Sequence, residues 1–159
     1  MAVLIIKKLG EPVLKTKAET VIELTQEIKK MIQDMKETMV ENAGVGLSAP
    51  QVGVSKRVIV VQTEERIRGF VNPKIIKQGK EKTFEEEGCL SVPGLRLKII
   101  RSKEVEVETW DENGQEIKIK AEGVIARTFQ HEIDHLDGIL FSDRFNKFSL
   151  ILQRIKNFF

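Results

Sequence analysis

The chain has 159 residues, enough for one domain over residues 1–159 that buries roughly 68–70% of its unfolded surface. Hydrophobic residues at 41%, charged residues at 31% and a net charge of +2 exclude a disordered chain and a DNA binder that works by charge alone. The longest apolar runs, such as Ala2-Val3-Leu4-Ile5-Ile6, fall short of the roughly 7 residues of a signal-peptide core and the about 20 of a membrane span, and a lone cysteine permits no internal disulfide; a cytoplasmic protein without a membrane partner is expected.

Leu24, Ile28, Met31, Ile32, Met35 and Met39 recur at steps of three and four and predict an N-terminal amphipathic helix of about five turns, ended by Gly44. Residues 44–55, punctuated by Gly44, Gly46, Pro50 and Gly53, read as a loop. Val58-Ile59-Val60-Val61 reads as a buried strand, and Gly69-Phe70-Val71-Asn72-Pro73 as a strand ended by its proline. Val105, Val107 and Thr109 alternate with Glu104, Glu106 and Glu108, which predicts a strand with one solvated face. Asp111-Glu112-Asn113-Gly114 is a hairpin turn, with the return strand running through Ile117 and Ile119.

Helical spacing resumes at Val124, Arg127, Thr128, His131 and His135 and stops at Gly138. Phe148, Ile151, Leu152, Ile155 and Phe159 lie on one side of a last amphipathic segment. Strands and helices are segregated rather than alternating, so the expected class is α+β, with mostly antiparallel sheets around a central helix and amphipathic helices at both ends.

That central helix carries His131-Glu132-Ile133-Asp134-His135, an H-E-x-x-H sequence. Positions i and i+4 lie roughly 40° apart on one helix face, so both imidazoles can reach one metal ion while Glu132 addresses a water beside it. These are the only two histidines in the chain, which weighs against a chance surface pattern. A catalytic site of this kind takes three protein ligands and keeps one position open. After the motif there is no further histidine or glutamate; Asp137 points to another helix face and Asp143 lies past Gly138. The third ligand therefore comes from upstream, and the one soft candidate is Cys89, set between glycines and a proline in Glu87-Gly88-Cys89-Leu90-Ser91-Val92-Pro93-Gly94. A buried structural cysteine and a free nucleophile are the rival readings of Cys89. A Cys–His–His site with one open position accounts best for the spacing.

Three segments, Gly44-Val45-Gly46-Leu47-Ser48-Ala49-Pro50-Gln51, Glu87-Gly88-Cys89-Leu90-Ser91 and Gln130-His131-Glu132-Ile133-Asp134-His135, resemble the three signature motifs of peptide deformylases in their usual order and spacing. Ser48 departs from the pattern, standing where that family usually has alanine. The resemblance implies a hydrolase that removes the N-formyl group from the initiator methionine of nascent chains and releases formate. It further implies that Cys89, His131 and His135 hold one divalent cation, Fe²⁺ natively, with Zn²⁺, Ni²⁺ or Co²⁺ able to replace it. Glu132 would serve as general base and then general acid, while the Gln51 side chain and the Leu90 N–H donate to the developing oxyanion. Gly46 would pair with an extended peptide through its backbone. Val45, Val124 and Thr128, with Arg127 near the rim, are candidates for the methionine slot; for Val45 and Val124 plain core packing is the alternative. Glu87 and Arg101 match positions that form an ion pair in the family.

Two other functions compete. A general metallopeptidase would need the downstream ligand that this chain lacks, and a structural zinc centre would need a fourth protein ligand. Arg144, Lys147, Arg154 and Lys156 make the C-terminal segment basic, which suits either transient contact with ribosomal RNA or the solvated face of a packing helix.

Overall fold

Four consecutive β-branched residues organise the middle of the molecule. In the computed structural model, which describes residues 2–145 and 154–155, β2 (Val58–Gln62) is buried on both faces. Ile59 and Val61 turn one way and Val58 and Val60 the other, as strand geometry requires. The first pair packs with Phe70, Val105, Val107, Ala126, Phe129, Ile133 and Leu136; the second packs with Ile32, Met35, Met39, Leu47 and Val71. Removing side chains of this size from water is worth about 1.5–3 kcal/mol each.

Five antiparallel strands form this sheet in the order β1-β2-β3-β6-β7, with β1 at Gly46–Ser48, β3 at Ile67–Gln78, β6 at Glu104–Trp110 and β7 at Glu116–Glu122. Helix α1 (Gln26–Glu41) supplies the apolar stripe on one face and α2 (Gly123–Leu136) the stripe on the other. The Thr25 hydroxyl caps α1 by accepting from Ile28 N–H. A separate hairpin, β4 (Lys82–Cys89) with β5 (Val92–Ser102), completes the layout, followed by the short α3 (Phe141–Arg144). Among the described residues no helix is long and apolar enough to cross a membrane.

Local expectation and structure part at four places. Helix α1 ends at Glu41 rather than running to Gly44, because Asn42 bonds Thr38 C=O through both backbone and side-chain amide and Ala43 takes the left-handed turn at φ 52°. The expected loop over 44–55 contains β1 and a 3-10 turn at Ala49–Val52; β1 exists because β2 pairs with it, a partner no local pattern reveals. Pro73 does not end β3. The register shifts between Val71 and Lys74, Asn72 adopts φ 52°, and the missing proline N–H is absorbed in the bulge. No local pattern predicts the β4–β5 hairpin, since much of its length is exposed on both faces and shows no clean alternation. The C-terminal amphipathic segment over 148–159 lies outside the described residues apart from Arg154 and Ile155.

Candidate active site

Helix α2 begins at Gly123 and ends at an Asp137 cap, with Gly138 at φ 72° turning the chain away. Within it, His131, Glu132 and His135 are all buried, and the two imidazoles lie 5.0 Å apart between ring centroids. The hairpin supplies the third group. A register shift between Gly88 and Cys89 closes the β4–β5 turn over Leu90 and Ser91 and brings Cys89 Sγ to 3.4 Å from His135 Nε2. One donor atom each from Cys89, His131 and His135 lies within 4.8 Å of the others. Among the described residues this is the one such cluster.

Glu87 organises the imidazole from behind. Its Oε1 lies 2.8 Å from His131 Nδ1, while Arg101 donates to both carboxylate oxygens at 2.9 and 3.0 Å, so the expected Glu87–Arg101 pair is present and buried. Burial opposes the Glu87 charge, but the hydrogen bonds from His131 and Arg101 outweigh it and hold the carboxyl well below the usual carboxylate range. For His131 burial favours the neutral ring, yet Cys89 and Glu87 together raise it to about 10. For His135 burial, with the His131 charge adding to it, outweighs the pull of Glu87 and pushes it well below an ordinary histidine, and its Nδ1 finds no partner among the described residues.

Glu132 projects beside this cluster with one carboxylate oxygen, Oε2, buried and without a partner among the described residues. Burial pushes its carboxyl up to about 7, with the Glu87 charge pushing the same way and His131 and Arg101 opposing. Gly46 of β1 makes the room it needs: a Cβ there would stand 2.7 Å from Glu132 Oε1 and 2.7 Å from Thr128 Cγ2. Gln51, on the 3-10 turn, is fixed at both ends of its amide. Its Oε1 accepts from the backbone N–H and the hydroxyl of Ser48, and its Nε2 donates to Ser91 Oγ at 3.1 Å and faces Cys89 Sγ at 3.6 Å.

A cleft of about 1000 Å³ opens over these groups and is lined by Val45, Gly46, Gln51, Cys89, Leu90, Val124, Arg127, Thr128, His131 and Glu132. His135 stands behind that wall, 1% exposed. Val45 and Val124 are 54% and 70% exposed, so they border the opening and are not core. Thr128 is buried, with its hydroxyl donating to Val124 C=O. The guanidinium of Arg127 is held by Glu87, Ile99 and Thr83.

Three neighbours of the site escaped the sequence reading. Asp134, at a variable position of the motif, accepts from Arg101 and Arg144. The Ser91 hydroxyl holds Gln51, and Lys8 Nζ donates to Leu90 C=O. Only Ser91, two residues from Cys89, carried a positional hint.

The polypeptide deformylase family model matches residues 3–150 of the chain. A peptide deformylase of Halothermothrix orenii is 53% identical over 147 residues, covering 91% of this chain and 94% of the relative. That of Carboxydothermus hydrogenoformans is 49% identical over 145 residues, with coverage of 91% and 94%. Among solved structures, the peptide deformylase of Thermotoga maritima superposes with a TM-score of 0.89 at 40% identity, covering 92% of this chain and 99% of that one. The Ehrlichia chaffeensis enzyme in complex with actinonin gives 0.89 at 40% identity, covering 99% and 98%.

Proposed function

The chain belongs to the polypeptide deformylase family, and from that premise we propose how its cleft carries out the family's reaction. It is a hydrolase that removes the N-formyl group from the N-terminal formyl-methionine of newly synthesised proteins. One observation supports the assignment of residues: a thiol and two imidazoles converge at the base of one cleft, beside a buried carboxylate whose Oε2 has no partner among the described residues.

Cys89, His131 and His135 hold a divalent cation, with Fe²⁺ the native ion and Zn²⁺, Ni²⁺ or Co²⁺ able to replace it. The donors fit such an ion: a soft thiolate joins two imidazoles, and Glu87 engages the remaining nitrogen of His131, the usual outer partner of a ligating histidine. When bound, a cation of this kind acidifies water and polarises a carbonyl oxygen.

The protein's own groups do the rest. Glu132 takes a proton from the attacking water and hands it to the departing nitrogen, and a carboxyl held near 7 suits both transfers. Gln51 Nε2 and the Leu90 N–H donate to the formyl oxygen as charge gathers on it, a contribution of about 10²–10³ in rate per donor. Gly46 lends its backbone to the extended peptide, while Val45, Val124 and Thr128, with Arg127 alongside, border the slot for the methionine side chain. A formyl carbon bears only hydrogen, so a site cramped on that side would reject an acetyl.

The whole of residues 1–159 works as one catalytic domain in the cytoplasm, where formylated nascent chains arise. Transient ribosome contact through the basic segment of Arg144, Lys147, Arg154 and Lys156 belongs to the same reading, although Arg144 is paired with Asp134 and Lys147 and Lys156 lie outside the described residues.

Formate release from formyl-Met-Ala-Ser, measured on anaerobically purified protein with elemental analysis alongside, tests these roles. Cys89→Ser and Glu132→Gln are expected to remove nearly all turnover, and the wild type to leave internal peptide bonds uncut. Undiminished deformylation by Cys89→Ser would overturn the ligand assignment.

A further inference from the structure

The proposed metal ligands arrive from two pieces of the fold that share no backbone hydrogen-bond ladder: Cys89 rides on the β4–β5 hairpin, and His131 and His135 ride on α2. Something must set one against the other. Arg127 stands one turn before His131 on α2, with its side chain 11% exposed. Its Nη1 donates to Glu87 Oε2 at 2.5 Å and to Ile99 C=O at 2.9 Å; its Nη2 donates to Thr83 Oγ1 at 2.8 Å and Thr83 C=O at 3.2 Å. One guanidinium thus grips a carbonyl on each strand of the hairpin and the carboxylate that faces His131.

Arg101 cannot replace this grip. It belongs to β5, where its backbone pairs with Thr83, and its side chain braces Glu87 and reaches α2 at Asp134, while the Thr83 and Ile99 carbonyls go to Arg127. Nor can a single ammonium replace it, because only a planar fork with separate nitrogens spans Thr83, Ile99 and Glu87 together.

We propose that Arg127 is a positioning residue for the metal centre: it seats the Cys89-bearing hairpin on α2 and keeps Glu87 against His131, so that the three donors converge. This rests on the reading that Cys89, His131 and His135 hold the cation. Loss of the guanidinium removes the helix's hold on Thr83 and Ile99 and takes one of two arginines from Glu87, leaving Arg101 and Gln130 among the remaining ties. Disturbing such outer partners typically weakens metal affinity 10–100-fold.

The test uses Co²⁺ as the probe, added to metal-free full-length wild type, Arg127→Met and Arg127→Lys, with folding checked by circular dichroism and thermal melting. The readouts are the Co²⁺ dissociation constant and the thiolate-to-cobalt absorption band. Arg127→Met should bind about 10–100-fold more weakly with a diminished band, and Arg127→Lys, which keeps a cation near Glu87, should fall between it and wild type. Folded Arg127→Met that binds Co²⁺ as tightly as wild type, with a lowered melting temperature only, overturns the inference. Should Arg127→Met fail to fold, Arg127→Lys decides: unchanged affinity and band overturn the inference, and weakened binding upholds it. Absence of a thiolate band in wild type itself would instead remove the ligand assignment on which the inference stands.

Discussion

At the scale of single residues, the site depends on groups that are costly to keep in place. Gln51 is oriented because its carbonyl accepts twice from Ser48, which turns the amide nitrogen toward Ser91 and Cys89. Gln51→Ala should therefore lower kcat about 10²–10³-fold. Ser48→Ala, which removes one of the two bonds to Oε1, should cost far less, and steady-state kinetics on a formylated peptide separates the two. Glu132 makes the opposite demand, since its carboxyl rises from an ordinary 4.5 to about 7 on burial. A carboxyl raised by folding favours the native state below about pH 4.5 and loses that advantage as pH climbs through about 7. Metal-free Glu132→Gln should accordingly be more stable to chemical denaturation than metal-free wild type at pH 8, by on the order of 1–3 kcal/mol, and the gap should close toward pH 5. An equal gap at both pH values would show that the buried charge is not its source.

Among the elements, what could be read in advance followed from whether the partner was local. The stripe of α1 and the alternation of β6 carry their own periodicity, and the Asp111-Glu112-Asn113-Gly114 turn names itself, so these were legible. Cys89 as a companion of the two histidines was also legible, by elimination among few soft donors. Strands β1 and β4 were not, because their reason for being strands is a partner elsewhere: β2 in one case, a largely exposed hairpin mate in the other. The passage of β3 through Pro73 was hidden for the same reason. There Asn72 sits at φ 52° and clamps Val21, accepting from its N–H and donating to its C=O at 2.8 Å each. Asn72→Ala removes both bonds and puts a Cβ residue without a compensating side chain into the left-handed region. We expect it to lose about 2–3 kcal/mol in chemical denaturation, with Asn72→Gly losing less because the turn itself stays relaxed.

For the molecule as a whole, the five-stranded sheet, with two helices packed on its faces, forms one body and the separately hydrogen-bonded β4–β5 hairpin another. Side chains bridge them through Glu87, Arg101, Arg127 and Gln130, the last bonding Ser102 N–H and C=O at the far end of β5. A cation ligated from both bodies, as proposed, would work as a rivet between them, and withdrawing it would loosen the joint while leaving each plate intact. Chelation should therefore quicken amide hydrogen exchange in β4 and β5 while β2 and β3 keep their protection, as mass spectrometry of the two segments can record. The purified enzyme's working life would then be governed by how well one thin flap stays fastened.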